Sequence, residues 1–208
     1  VQIGSGTDWE WNSASGYSTN QVATAYGVKT DGTGWIWGDA TNGKLGNGTT
    51  TPNICSPIQI GSLTDWKQMN GGQYHSMAVK TDGTLWGWGR NNSGQLGVGN
   101  TTDYSSPVQV GSLTDWLYVV CGATVTSGLK TDGTVWGMGS NSYGSLGQGP
   151  ATGSFSSPVQ VGSYTDWTHI SRNQTNVQTA FMGVRGGTFE APAGTLWALG
   201  NNTWGQLG

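Results

Sequence analysis

The side chains that could carry chemistry are few: eleven acids, two histidines and two cysteines in 208 residues. Asp8, Asp65, Asp115 and Asp166 stand in a recurring Thr-Asp-Trp, while Asp31, Asp82 and Asp132 stand in a recurring Lys-Thr-Asp-Gly. Thr-Asp pairs of this kind are expected to cap turns through side-chain to backbone hydrogen bonds, a structural use. That leaves Glu10, Asp39, Asp103 and Glu190 for acid–base work. Asp103 and Glu190 could in principle make a glycosidase pair, but two carboxylates drawn from a repeat carry no specificity. His75 and His169 have no Ser, Cys or carboxylate at a recognisable spacing, so each reads as structural. Cys55 and Cys121 lack the close pairing of a zinc or redox site and do not make a disulfide scaffold. The chain is therefore expected to be non-catalytic, with no metal and no cofactor.

Composition narrows the partners. Eight Lys and Arg against eleven acids give a net charge of -3, with 9% charged residues overall. No basic footprint for nucleic acid or an anionic bilayer follows from that balance. No apolar run reaches the length of a membrane span, and Val1 follows no leader, which reads as a cut or processed end. Thirty-seven Gly would suggest low complexity, but twelve Trp imply large side chains to bury.

The elements that must position these residues come from a repeat. Thr-Asp-Trp ends at Trp9, Trp66, Trp116 and Trp167, in steps of 57, 50 and 51 residues. Lys-Thr-Asp-Gly begins at Lys29, Lys80 and Lys130, with Arg185 in the fourth place; Gly-x-Leu-Gly opens at Gly43, Gly94, Gly144 and Gly205. Pro-(Ile/Val)-Gln-(Ile/Val)-Gly opens at Pro57, Pro107 and Pro158, and Val1-Gln2-Ile3-Gly4 has the same pattern. Four units follow, 1–57, 58–107, 108–158 and 159–208. Within a unit, apolar residues alternate and turn residues recur with no helical period. Ser76–Lys80 and Leu85–Gly89 read as two strands around Thr81-Asp82-Gly83-Thr84, where Asp-Gly predicts a primed turn with positive φ at both residues. Further strands start near Trp66 and at Pro107. Four strands per unit of about fifty residues predict an all-β chain of propeller blades, with the Thr-Asp-Trp strand innermost and the Pro-Val-Gln-Val strand outermost.

Leu85-Trp86-Gly87-Trp88-Gly89-Arg90-Asn91-Asn92-Ser93-Gly94-Gln95-Leu96-Gly97 resembles the repeat of the regulator of chromosome condensation family. Gln73–Val79 resembles that family's His-Ser strand entry, and the match recurs at 136–147 and 200–208. The first unit departs at Gly38–Gly46, and Thr24, Val125 and Ala180 replace the His that only His75 supplies. The resemblance implies a seven-bladed ring of four-stranded blades, of which about four are present. It also implies functions that range from nucleotide exchange on a small GTPase to binding by secreted bacterial forms.

Trp9, Trp66, Trp116 and Trp167, then Trp35, Trp86, Trp136 and Trp197, then Trp37 and Trp88, fall at repeat positions and are expected to pack between blades. Trp86 and Trp136 are expected to be large buried rings. Trp11, Tyr17, Tyr104, Tyr143, Phe155, Phe189 and Trp204 lie off register, in or near connections, and are the candidate contacts for a partner. The expected function is a binding or structural module that contacts a protein or surface glycan through propeller-face loops, on a cell or virus-particle surface. The alternatives are a regulator of a small GTPase and a lectin or glycosidase accessory domain.

Overall fold

Each repeat unit forms one antiparallel sheet whose strands follow chain order. The computed structural model describes residues 6–16, 23–148, 153–172, 181–186 and 195–199. Blade 1 holds β1 (Trp9–Ser15), β2 (Thr24–Lys29), β3 (Gly34–Gly38) and β4 (Ile54–Gln59). Blade 2 holds β5 (Trp66–Gly71), β6 (His75–Lys80), β7 (Leu85–Gly89) and β8 (Tyr104–Gln109). Blade 3 holds β9 (Trp116–Cys121), β10 (Val125–Lys130), β11 (Val135–Ser140) and β12 (Ser154–Gln160). Blade 4 shows β13 (Trp167–Arg172), β14 (Phe181–Arg185) and β15 (Thr195–Leu199). Strands β1, β5, β9 and β13 lie beside one another at the axis, and β4, β8 and β12 are the outer edges. Pro57, Pro107 and Pro158 fall inside those outer strands, where a missing N–H is tolerated at an edge. Among the described residues the only helical segments are short 3-10 turns at Thr41–Gly43 and Ser142–Gly144.

The hairpin turns differ from the primed type. Gly83 N–H donates to the Lys80 carbonyl and Lys80 N–H to the Thr84 carbonyl, both at 3.0 Å. Gly83 alone takes the left-handed conformation, at φ 79°, and among the described non-glycine residues only Asn42 has positive φ. This is the three-residue loop that ends on a left-handed glycine. Asp82 stays on the ordinary side because its Oδ1 accepts from Thr84 N–H at 2.9 Å and Thr84 Oγ1 at 2.7 Å. Asp31 and Asp132 repeat the arrangement with Thr33 and Thr134.

The core lies between blades rather than within one. Tyr26, Val28, Ile36 and Ile60 from blade 1 and its linker pack with Trp66, Met69, Ala78 and Trp88 of blade 2. Met77, Val79 and Leu85 of blade 2 meet Trp116, Val119, Cys121 and Met138 of blade 3. Leu129 and Val135 then meet Trp167, Ile170 and Phe181 of blade 4. Trp66, Trp88 and Trp116 are fully buried, whereas Trp86 and Trp136 are half-buried, which corrects the expectation that all the periodic rings are core.

A glycine beneath Trp9, Trp116 and Trp167 lets the ring lie on the strand. A Cβ at Gly128 would sit 2.4 Å from Trp116, and one at Gly27 or Gly183 would meet Trp9 or Trp167 at 2.5 or 2.6 Å. Blade 2 carries Ala78 in the matching place, and it is fully buried. Gly128→Ala is expected to cost about 1–3 kcal/mol by overpacking, read as a lower denaturation midpoint. Ala78→Gly should cost less, about 1 kcal/mol.

Candidate binding surfaces

Three layers of contact hold the blades together and join them to one another, and they consume most of the chemically capable side chains. The first lies where the inner strand begins. Lys80 Nζ pairs with Asp65 at 3.2 Å and lies 5.1 Å from the Trp66 ring centre and 4.5 Å from that of Trp86. Lys29 with Asp8, Trp9 and Trp35, and Lys130 with Asp115, Trp116 and Trp136, repeat this box. In blade 4 the cation is Arg185, paired with Asp166 at 2.8 Å and stacked on Tyr164 as well as facing Trp167 and Trp197. The Asp of Thr-Asp-Trp was expected to cap a turn; it is instead the counter-ion of a lysine pressed against two indoles. Burial of the cation explains the difference, because Lys80 and Lys130 have only 7% and 5% of their side chains exposed and a buried charge needs an opposite one. The second Trp of each box is oriented by its own turn: Trp86 Nε1 donates to Thr84 Oγ1 at 2.9 Å. The box docks on the preceding blade, where Trp66, Trp116 and Trp167 N–H groups each donate 3.1 Å to the carbonyls of Gly32, Gly83 and Gly133.

The second layer runs along the axis. Two positions after Trp9, Trp66 and Trp116, a side chain reaches the backbone of the next inner strand. Trp11 Nε1 donates to Met69 O at 3.1 Å, and Gln68 pairs with both N–H and C=O of Val119 at 3.0 and 2.8 Å. Tyr118 Oη joins the backbone of Ile170, accepting from its N–H and donating to its carbonyl. Burial pushes the Tyr118 phenol up to about 12, so it remains a donor at neutral pH. These straps satisfy inner-edge backbone groups that would otherwise need water.

The third layer joins the Asn/Gly-rich segments to the next blade. Gly48 N–H donates to Ser105 O at 2.8 Å and Gly99 N–H to Ser156 O at 2.7 Å, so these segments grip the neighbouring outer strand. The carbonyl of residue x in Gly-x-Leu-Gly is a shared acceptor. Lys44 O takes Ser76 Oγ and Trp88 Nε1, Gln95 O takes Thr126 Oγ1, and Ser145 O takes Arg172 Nη2. His75 is fully buried at this level, with Nε2 2.9 Å from Thr126 Oγ1. Burial, then the nearby Lys44 charge, hold its imidazole down to about 3. It is therefore neutral and structural at any ordinary pH. Cys121 is buried and its thiol is pushed up to about 12 by burial, which makes it inert as a nucleophile.

The structure disperses the acids left free by the repeat. Glu10 is exposed on β1, Asp39 is buried and accepts from Thr41, and Asp103 accepts from Asn91 N–H at 2.6 Å. Glu190 lies outside the described residues. His169 is exposed on β13, its ring 5.7 Å from that of Tyr118. Among the described residues no three His, Cys, Asp or Glu side chains group as a metal site would require.

An axial groove of about 520 Å³ lies between the inner strands, lined by Trp11, Gln68, Asn70, Tyr118, His169 and Ile170 among others. Of Trp11, Tyr104 and Phe155, the off-register aromatics whose side chains are among those described, Trp11 alone lines it; it sits in β1, 38% exposed, and also serves as a strap. Tyr104 opens β8, half-buried, its Oη accepting from Asn100 Nδ2 at 3.0 Å. Phe155 is in β12 opposite Gly139 and half-buried. Both therefore lie in outer strands rather than in connections. Tyr143 is in the 3-10 turn Ser142–Gly144, its side chain outside the described atoms; Tyr17, Phe189 and Trp204 lie outside the described residues. The straps and boxes escaped sequence reading, although a fixed place two residues after Trp9, Trp66 and Trp116 marks the former.

The family model for the regulator of chromosome condensation repeat matches residues 31–79, 82–129 and 132–176. The chain belongs to this repeat family. Curated relatives of the repeat include human "Probable E3 ubiquitin-protein ligase HERC3", 39% identical over 75 residues, which are 35% of this chain and 7% of that protein. The Arabidopsis thaliana "Ultraviolet-B receptor UVR8" is 41% identical over 71 residues, 33% of this chain and 16% of the receptor. The chain thus spans less than a fifth of these relatives. Among solved propellers, human WBSCR16 superposes with TM-score 0.77 at 21% identity, over 100% of this chain and 52% of that one. Prp20p of Saccharomyces cerevisiae superposes with TM-score 0.67 at 15% identity, over 79% and 42%. These likenesses show the fold, and the chain corresponds to part of a propeller of the family.

Proposed function

We propose that this chain is a non-catalytic protein-binding module that makes its contacts through loops at a propeller face. The observation that carries the reading is the use of the reactive side chains: the Asp–Lys–Trp boxes are spent on tying the strands of a blade together, and His75, Cys121 and Tyr118 on joining one blade to the next. What the blades leave open is surface rather than a reaction centre. The solved yeast propeller supports the protein-binding class, since Prp20p binds Gsp1p and histones. Display on a cell or virus-particle surface is the setting we propose, on the low charge and the Thr-, Ser-, Asn- and Gly-rich composition; a non-permeant label on intact cells or particles tests it.

The deciding experiment is affinity capture with the intact chain from its natural source, followed by titration with the purified partner. A saturable complex that survives Glu10→Gln and Asp39→Asn is the expected result. Turnover of a substrate by the intact chain, lost on one acidic substitution at Glu10, Asp39, Asp103 or Glu190, would overturn it.

A further inference from the structure

The Asp-Gly hairpins and the linkers between blades share one face, and that face exposes the same kind of side chain at every junction. Leu63, Leu113 and Tyr164 each precede a Thr-Asp-Trp and are 41%, 49% and 40% exposed. One exposed leucine is ordinary, but a large apolar group repeated at three successive junctions makes a row. Each linker is pressed against a hairpin, because a Cβ on Gly32, Gly83 or Gly133 would lie 1.9, 2.0 or 2.3 Å from the carbonyl of Thr64, Thr114 or Thr165. Asp31, Asp82 and Asp132, all exposed, therefore alternate with the row.

Charge selects what fits. At the hairpin end, Asp8, Asp65, Asp115 and Asp166 are neutralised by Lys29, Lys80, Lys130 and Arg185. Glu10 and Lys67, both exposed on inner strands next to a box Trp, offset each other. Asp31, Asp82 and Asp132 remain without a counter-ion in the four pairs, and their hydrogen bonds from Thr33, Thr84 and Thr134 hold the carboxyls below the usual range. The opposite end carries Lys44, Arg90 and Arg172 against Asp39 and Asp103. Among the described residues the negative excess is thus on the hairpin face, beside the exposed apolar row.

We propose, resting on the protein-binding reading above, that the hairpin face docks a basic protein segment with apolar side chains between its cations. The apolar row supplies the buried centre of such a contact and the three aspartates its orientation and encounter rate.

The test uses the intact chain and three synthetic peptides of alternating residues: lysine–leucine, glutamate–leucine and lysine–serine. Lysine–leucine is expected to bind best, more weakly as ionic strength rises. The triple change Asp31→Asn, Asp82→Asn and Asp132→Asn keeps the turn acceptors and should weaken that peptide about tenfold. Leu63→Ser with Leu113→Ser should weaken it too, while Asp103→Asn on the other face leaves it unchanged; circular dichroism checks that each variant is folded. Equal binding of the glutamate–leucine peptide, wild-type affinity in the triple variant, or an equal loss in Asp103→Asn overturns the proposal. A natural partner that binds regardless of the hairpin-face variants overturns this surface alone, whereas substrate turnover as described above overturns the protein-binding reading itself.

Discussion

Trp66→Ala is expected to lower stability by about 3–5 kcal/mol, the cost of deleting a fully buried large ring. Trp66 is 1% exposed and sits where blade 2 closes on blade 1, against Tyr26, Val28 and Ile36. Its indole meets Trp86 and Trp88 edge to face at 6.2 and 6.1 Å between centres, and it forms one wall of the Lys80 box at 5.1 Å. The strand beneath cannot move in to fill the gap, because it is held by the Trp66 N–H to Gly32 O bond and by the pairing of β5 with β6. Removal therefore leaves both a cavity and a lysine that has lost an aromatic wall. Trp86 is the comparison: it has the same period and the same lysine, but it is half-buried, so Trp86→Ala should cost about 1–2 kcal/mol. Denaturant titrations of both variants followed by far-ultraviolet circular dichroism decide the matter. Equal losses would show that burial does not rank these two rings.

Lys44→Gln is expected to stabilise the protein by about 2 kcal/mol near pH 7. Lys44 fills the place that Gln95 and Gln206 take in other units, yet it is fully buried, its Nζ donating to Gln73 O at 2.9 Å. Burial brings its ammonium from 10.5 down to about 8, with Asp39 opposing the fall. Because the folded state disfavours the charged form, the cost is fully present below the folded value, where both states hold the proton. Between about 8 and 10.5 the folded protein releases that proton while the unfolded chain keeps it, so stability rises with pH across this window. The gap between the two pKa values corresponds to about 3 kcal/mol, and the lost contact with Gln73 O returns about 1 kcal/mol of it. Thermal melts of wild type and variant from pH 7 to 11 should therefore converge as pH rises. A gap that is constant with pH, or a destabilised variant at pH 7, would contradict the buried-ammonium account.

The repeat markers by themselves determined the all-β class, the four units and the hairpins, because a turn such as Lys80 to Thr84 is decided within five residues by Asp82, Gly83 and their own hydrogen bonds. They also placed the Thr-Asp-Trp strand at the axis and identified the repeat family, since identical motifs at a fixed step force identical sheets to stack. Only the tertiary structure decided which tryptophans are core. Trp86 and Trp88 stand two apart on one strand and share a face, yet only Trp88 is covered, by Lys44 and its neighbours on the preceding blade. It also gave Trp11, which its place off the repeat register makes a candidate contact, a structural task as a strap to Met69 O. Trp11, Gln68 and Tyr118 do one task with three side-chain types, across separations of 58, 51 and 52 residues. Contacts made to backbone groups so far away leave no residue preference in the sequence, because any donor or acceptor of the right reach satisfies them.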